Sequence, residues 1–366
     1  MPPDVTLVTG CFDLSIYNQN SRDLATSIQS MRTLLEIPIY LVIFCDSTML
    51  PHIQAIRNNE YNLANYTQYE VTDITALWAY QYIDIVKKNR EHYHPTKDVR
   101  TCAESHILCC NKFDFVLQTM NRNPFYTSKF GWIDANIGTN ASKICSDYSL
   151  SLLPDILQNV GEKFRIQILN VTDKKFKQDE HLREYYNQYR WVVCGCLFTT
   201  GKEIGNRILH RLKEVFVETT KSGYGHGEEM LYLSVFDDFY NDIDRSYGDY
   251  HHILNNFIYP TKGFDYILHC IINNYIEHSY MKEAYDCCKH VLTAYKDQQD
   301  GIWFHIMFKM YLSCYYHKRE DLDVFMKLFT HSIRTNVAIR KEFEANRLFY
   351  LSQFAFFDPK LAENID

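Results

Sequence analysis

The sequence predicts an α/β protein with a mostly parallel sheet, followed by an all-α domain built from helical hairpins. Up to about residue 200, short β-branched or aromatic runs alternate with helical stretches. From about residue 262, apolar residues recur at every third and fourth position instead. Pro260 and Gly263 mark the change. We therefore expect an α/β domain over residues 1–260 and a helical domain over residues 261–366.

The first part of the chain contains five predicted strands, at residues 5–8, 39–44, 130–133, 166–171 and 191–198. Three helices are predicted between them, at residues 21–35, 76–88 and 104–120. Continuous apolar strands separated by helices are typical of a parallel sheet that is covered on both faces. Ligands of such sheets bind at the carboxyl ends of the strands, so we expect the chemistry of this protein there.

The second part contains five predicted helices, at residues 264–280, 281–296, 302–316, 322–333 and 339–354. Breakers separate several of them, among them Asp300-Gly301 and the charged residues 318–321. The pattern favours helices packed as antiparallel hairpins. It has no clean period, so a true repeat array is not predicted.

Composition and charge exclude several classes of protein. A net charge of −7 argues against a general nucleic-acid binder, which needs a basic face. No apolar run is long enough for a membrane span, and the first residues do not resemble a secretion signal. The 12 cysteines form no C-x-x-C pair, so we expect free buried thiols and a cytoplasmic protein. Dinucleotide-binding, P-loop and G-x-S-x-G motifs are absent from the sequence.

The most informative segment is NPFYTSKFGWIDANIG, at residues 123–138. An apolar strand runs directly into Asp134, and Asn136 follows two residues later. Side chains at i and i+2 of an extended segment point the same way, so these two oxygen ligands could hold one hard cation that bridges a diphosphate. The alternative is a strand that ends in a turn, with Asp134 and Asn136 as ordinary turn formers.

The same segment resembles the bacterial HtrL/YibB family, whose members are related to nucleotide-sugar glycosyltransferases of the GT-A type. VTLVTGCFDL, IYLVIFCD, VVCGCLFTTG and SYGDYHHIL resemble other parts of that family in the same order, over roughly residues 4–258. The resemblance implies a GT-A-like (Rossmann-like) fold with a mixed, mostly parallel sheet. It also implies a nucleotide-sugar donor and Mn²⁺ or Mg²⁺, with Asp134 and Asn136 as a variant of the D-x-D motif.

The chain departs from this family pattern at two places. Asn136 replaces the second aspartate, so metal binding without nucleotide should be weaker. Residues 225–229 read GHGEE where the family tends to have an Asp-Gln or Glu-Gln pair. Inverting GT-A enzymes place a catalytic base in this region, so Glu228 or Glu229 is a candidate base. Alternatively, both glutamates begin a helix at residues 228–236, where they favour the helix dipole.

The resemblance also implies contacts to the donor. Thr9, Gly10 and Cys11 close the first strand, where GT-A enzymes hold the nucleotide base by backbone contacts. Basic side chains that could contact the pyrophosphate are Arg22, Arg57 and Lys112. The alternative for each of these three is a solvated surface charge.

A third metal ligand could come from His251 or His252, as in several GT-A enzymes. Asp249 competes for this role, and a surface histidine beside Tyr250 is the alternative.

The sequence thus predicts a metal-dependent hexosyl- or pentosyltransferase that moves a sugar from a UDP- or GDP-sugar to a glycan or protein acceptor. One alternative is a catalytically inactive GT-A-like scaffold whose helical C-terminal domain binds a protein partner. A nucleotidyltransferase would need a glycine-rich basic loop after the first strand, and GCFDLSIYNQNSRD is not one. The sequence carries no indication of the oligomeric state.

Overall fold

The computed structural model describes residues 2–93, 98–137, 150–225, 227–248, 250, 253–258, 265–294 and 301–357. The chain divides into two compact units, Met1–Ile258 and Tyr259–Asp366. None of the helices within the described ranges has the length and apolarity needed to cross a bilayer.

The first unit is built on a seven-stranded sheet of order β3-β2-β1-β4-β6-β5-β7. Its strands are β1 (Val5–Cys11), β2 (Tyr40–Cys45), β3 (Thr67–Val71), β4 (Lys129–Ile133), β5 (Phe164–Ile168), β6 (Val193–Gly201) and β7 (Ile243–Tyr247). All neighbours pair in parallel except β6, which runs antiparallel to both β4 and β5. The predicted fold class, a mixed and mostly parallel sheet flanked by helices and followed by a helical region, is confirmed.

The inner strands are largely buried on both faces, which explains the apolar runs of β2, β4 and β6. All nine residues of β6 are buried. Gly131 lets β4 approach β6, because a Cβ at this position would lie only 2.4 Å from the carbonyl oxygen of Phe198. β3 and β7, which the sequence did not predict, lie at the two edges of the sheet. Edge strands bury fewer side chains, and β3 (TQYEV) has no fully buried residue.

The helices of the first unit are α1 (Leu24–Leu35), α2 (Leu50–Gln54), α3 (Ile83–His92), α4 (Ala103–Arg122), α5 (Leu153–Gln158), α6 (Leu182–Tyr186), α7 (Lys202–Lys221) and α8 (Ile253–Ile258). A π-helical turn, Ala55–Glu60, follows α2. The Asp23 side chain caps α1 by accepting a hydrogen bond from the Thr26 amide at 2.7 Å. The helix predicted at residues 76–88 begins later, because two 3₁₀ segments precede α3.

The described residues of the second unit form six helices. They are α9 (Asp265–Glu277), α10 (Met281–Ala294), α11 (Gly301–His317), α12 (Leu322–Thr335), α13 (Val337–Ala345) and α14 (Arg347–Phe357). The fifth predicted helix, at residues 339–354, was wrong in extent, because Asn346 leaves helical geometry between α13 and α14. Asn336 starts α13, since its side chain accepts hydrogen bonds from the amides of Ala338 and Ile339.

Candidate active site

A cavity of about 400 Å³ opens at the carboxyl ends of β1 and β4, the edge at which open α/β sheets bind their ligands. β1 contributes Gly10 to the wall, and the segment that follows β4 contributes residues 134–136. α4 contributes Lys112, and the 3₁₀ segment Glu228–Ser234 contributes Glu228. Six of the residues predicted as site residues therefore line one cavity: Gly10, Arg22, Lys112, Asp134, Asn136 and Glu228.

Lys112 lies at the centre of a buried ionic cluster. Its Nζ lies 2.5 Å from Oε1 of Glu228 and 3.5 Å from Oδ1 of Asp134, and it donates to the carbonyl oxygen of Gly195 at 3.0 Å. Burial lowers the pKa of Lys112, but the charges of Asp134 and Glu228 outweigh burial and raise this pKa well above its ordinary value. Lys112 is therefore an ammonium that is held between two carboxylates, as a buried charge requires.

The carboxylate of Asp134 is fixed by its neighbours. The indole Nε1 of Trp132 donates to Oδ1 at 2.6 Å, and the amide of Asp134 donates to the carbonyl oxygen of Cys196 at 2.8 Å. The Nζ of Lys112 also lies 5.3 Å from the centroid of the Trp132 ring, within cation–π range. These contacts orient Asp134 at the wall of the cavity, beside Asn136.

The two adjacent glutamates have different surroundings. Glu228 lines the cavity and pairs with Lys112. Glu229 is turned towards β6: its Oε1 accepts from the amide of Gly195 at 3.0 Å, and its Oε2 accepts from the hydroxyl of Tyr189 at 2.9 Å. Gly195 permits this packing, because a Cβ at this position would lie 2.7 Å from Oε1 of Glu228. The helix predicted at residues 228–236 is the 3₁₀ segment Glu228–Ser234.

Burial, followed by the charge of Glu228, raises the pKa of Glu229 well above the ordinary value of a carboxyl group. In the folded protein Glu229 therefore keeps its proton at a pH at which the unfolded chain has lost it. A protonated carboxyl group is uncharged and both donates and accepts hydrogen bonds, as an uncharged glutamine side chain of the same size does.

Replacing Glu229 with glutamine should change how stability depends on pH. In the unfolded wild type, Glu229 loses its proton above a pH of about 4.3, whereas in the folded protein it keeps this proton to higher pH. Because the folded state then binds more protons than the unfolded state, the wild type loses stability as pH rises through this range. We expect Glu229→Gln to gain stability relative to the wild type between about pH 5 and about pH 8. Urea midpoints across this range measure the difference. The exposed Glu218 of α7 supplies the control, Glu218→Gln. Parallel curves for wild type and Glu229→Gln would contradict the assignment.

Further charged groups at the cavity were not predicted from the sequence. Arg100 donates to the carboxylate of Asp98 through Nε at 2.9 Å and Nη2 at 2.6 Å. Hydrogen bonds from Arg100 lower the pKa of Asp98 to about 2, and the charge of Arg22 contributes. The side-chain Nδ2 of Asn18 donates to the carbonyl oxygen of Val99 at 2.9 Å and joins the two loops that carry Arg22 and Asp98. No motif in the sequence identifies Asp98 or Arg100.

The charges at the cavity wall balance. Among the described lining residues, three side chains are cationic and three are carboxylates: Arg22, Arg100 and Lys112 against Asp98, Asp134 and Glu228. Two of the cations are already within 3 Å of a carboxylate oxygen. A diphosphate entering this cavity would therefore need additional positive charge.

Arg57, which the sequence predicted as a donor contact or a surface charge, is a buried group away from the cavity. Its side chain is fully buried and donates to the carbonyl oxygens of Leu35, Ile37 and Ile39, each at 3.1 Å. Burial lowers the pKa of Arg57 to about 10. The guanidinium group joins the end of α1 to the start of β2 and does not line the cavity.

Thr9 and Cys11 are also fully buried, and only Gly10 of this strand end lines the cavity. Successive side chains of a strand point to opposite faces, so Thr9 and Cys11 point away from the face of Gly10. Cys11 belongs to the apolar core under this end of the sheet. Any donor contact from Thr9 or Cys11 would have to be made by the backbone, and this stays a prediction.

The predicted metal ligands are only partly within the described residues. Asp134 and Asn136 line the cavity, whereas His251, His252 and Asp249 lie outside the described residues. In the described part of the chain, no three His, Cys, Asp or Glu side chains group as a complete metal site. One carboxylate and one amide oxygen nevertheless fit Mg²⁺ or Mn²⁺, because such ions are commonly held by one or two protein oxygens together with substrate phosphates and water.

Comparison with known proteins agrees with the family resemblance over part of the chain. The model of a family described as a bacterial protein of unknown function, HtrL_YibB, matches residues 3–155. That segment contains β1 to β4, Lys112, Asp134 and Asn136. A comparison with the curated proteins finds none that matches.

Two solved structures of glycosyltransferases are similar to this chain. The apo form of mouse xyloside xylosyltransferase 1 is 8% identical, with a TM-score of 0.36 over 66% of this chain and 84% of that chain. The galactosyltransferase LgtC, in complex with donor and acceptor sugar analogs, is also 8% identical. Its TM-score is 0.36, over 66% of this chain and 73% of that chain.

Proposed function

We propose that this protein is a metal-dependent glycosyltransferase, which moves a sugar from a UDP- or GDP-sugar to a glycan or protein acceptor. The supporting observation is that one cavity, at the carboxyl ends of β1 and β4, is lined by Asp134, Asn136, Lys112 and Glu228. This set offers oxygen ligands, a fixed cation and a carboxylate within one site. We take residues 1–260 as the catalytic domain and the cytoplasm as its compartment.

Asp134 and Asn136 would hold Mn²⁺ or Mg²⁺ together with the donor diphosphate. The ion would neutralise the negative charge that develops on the nucleoside diphosphate as it leaves. The balanced charge of the cavity supports this proposal, because the cationic side chains are matched by carboxylates before any donor binds. Arg22 and Arg100, at the same cavity, would contact the phosphate oxygens.

Of the two glutamates, Glu228 is the better candidate base. In a transfer with inversion, its carboxylate would take the proton from the acceptor hydroxyl as the bond to the donor sugar breaks. Lys112 positions Glu228 through their 2.5 Å ion pair. Glu229 faces the amide of Gly195 and the hydroxyl of Tyr189, so we assign it a structural role.

Thermal unfolding with a panel of UDP- and GDP-sugars, each with Mn²⁺ or with EDTA, tests the donor site. A ligand that binds only the native state at about 100 times its Kd adds about 2.7 kcal/mol of stability. We expect such a shift with one nucleotide class, in the presence of metal, and its loss in Asp134→Ala.

The control variant is Asp237→Ala, because Asp237 pairs with Lys174 and Lys177 and does not line the cavity. It should keep the donor-dependent shift. If a folded wild type shows no shift with any donor, the proposal fails. The inactive scaffold, with C-terminal helices that bind a protein partner, would then be the better account.

A further inference from the structure

An aromatic pair, Tyr189 and Trp191, lies beside the two glutamates. The ring centroids are 5.2 Å apart and the planes are inclined at 61°. The hydroxyl of Tyr189 donates to Glu229, and the side-chain Nδ2 of Asn170 donates to the backbone carbonyl oxygen of Trp191 at 2.7 Å. The Trp191 side chain is 54% exposed, whereas Trp132 is 5% and Trp303 is 4% exposed. Trp191 therefore presents an exposed indole ring on a tethered segment.

The sheet topology places this ring at the same ends of the strands as the cavity. Trp191 precedes β6 by two residues, and β6 runs antiparallel to β4 and β5. The start of β6 therefore lies next to the carboxyl end of β4, where Asp134 follows. The amide of Asp134 donates to the carbonyl oxygen of Cys196, and Trp191 precedes Cys196 by five residues. Even in a fully extended chain, the Cα atoms of Trp191 and Cys196 are therefore at most roughly 16 Å apart. In the strand order, β6 lies on the side of β4 away from β1.

We propose that Trp191 forms an acceptor subsite, in which its indole ring stacks on a pyranose ring of a glycan. This inference rests on the proposed function and deepens it by naming the acceptor class. An acceptor that extends from the cavity along these strand ends towards the start of β6 would reach Trp191. The ring offers a broad apolar face to the C–H face of a sugar, and the sugar hydroxyls stay at its rim.

The surroundings of the ring favour a sugar over an apolar protein segment. The side chains of Asn170, Asn187 and Gln188 are exposed close to Trp191 in the fold or along the chain. Amide side chains both donate and accept hydrogen bonds, which suits sugar hydroxyls. The contact with Tyr189 and the bond from Asn170 restrain Trp191 before a ligand arrives, so less ordering is needed on binding.

The test is calorimetric titration of the full chain with maltohexaose, cellohexaose, chitohexaose and mannohexaose. We expect one of these glycans to bind, and Trp191→Ala to weaken that binding by about tenfold. Trp191→Phe keeps an aromatic face and should retain most of the affinity. Tyr126→Ala is the control. Tyr126 is 91% exposed, but it precedes β4 and so lies at the amino-terminal end of this strand, away from the cavity.

The same variants are also examined for the donor-dependent thermal shift, which Trp191→Ala should leave unchanged. If Trp191→Ala binds the glycan as well as the wild type does, the subsite is overturned. The same holds if no hexasaccharide binds to a protein that responds to its donor, or if only a protein acceptor is bound. In these cases the glycosyltransferase proposal stands, provided that the wild type responds to its donor. A wild type that binds a hexasaccharide through Trp191 but shows no donor response would count against the glycosyltransferase proposal and not against the glycan subsite.

Discussion

Glu228→Gln is expected to lower the rate of sugar transfer by about 10²–10⁴-fold, the usual contribution of a positioned general base. Glutamine keeps the size of the side chain and can still accept a hydrogen bond from Lys112, but it cannot take a proton. Asp134 and the carbonyl oxygen of Gly195 remain as partners of Lys112. The measurement is kcat with the donor identified by thermal shift, and the donor-dependent shift itself should persist in the variant.

Glu229→Gln is the matched control, one residue away in the chain. Glutamine keeps the size of the side chain, and its Oε1 can still accept from the amide of Gly195, while the hydroxyl of Tyr189 can turn to accept from the new amide group. We expect kcat to stay close to that of the wild type. The opposite order, with Glu229→Gln inactive and Glu228→Gln active, would exchange the two roles. Full activity in both variants would exclude either glutamate as the base.

Arg57→Leu is expected to lower the free energy of unfolding by about 3–5 kcal/mol, near the upper end for single substitutions. The reason is the loss of hydrogen bonds to the buried carbonyl oxygens of Leu35, Ile37 and Ile39. A buried polar group that loses its partner costs about 1–3 kcal/mol. Urea unfolding of the two proteins measures the difference.

Arg32→Leu provides the comparison, because Arg32 forms an exposed ion pair with Glu60 in the same part of the first unit. Exposed ion pairs contribute little to stability because water and salt screen them, so this variant should unfold close to the wild type. Arg57→Lys, which keeps a positive charge, should be less destabilised and should keep the donor-dependent shift. A stable Arg57→Leu protein that no longer responds to the donor would restore Arg57 as a donor contact.

The strands that the sequence predicted are those with continuous apolar runs. β1, β2, β4 and β6 contain such runs because both faces of each strand are covered, whereas β5 (FRIQI) is interrupted by Arg165 and Gln167 and was predicted from its isoleucines. β3 and β7 were missed because an edge strand buries fewer side chains and so lacks that pattern. The antiparallel direction of β6 is not visible in its sequence, since direction depends on which strands it pairs with.

The sequence by itself determined that an apolar strand ends at Asp134 and Asn136, and that an acidic pair stands at Glu228 and Glu229. Only the tertiary structure decided that Glu228 faces the cavity whereas Glu229 faces β6. It also placed Lys112 against Gly195 and Glu228, which are 83 and 116 residues away in the chain. Local patterns specify which side chains are buried, because burial follows the periodicity of a helix or strand. Which distant charges then meet is set by how the elements pack, and this is why Arg57 became a buried structural group and Lys112 part of the candidate site.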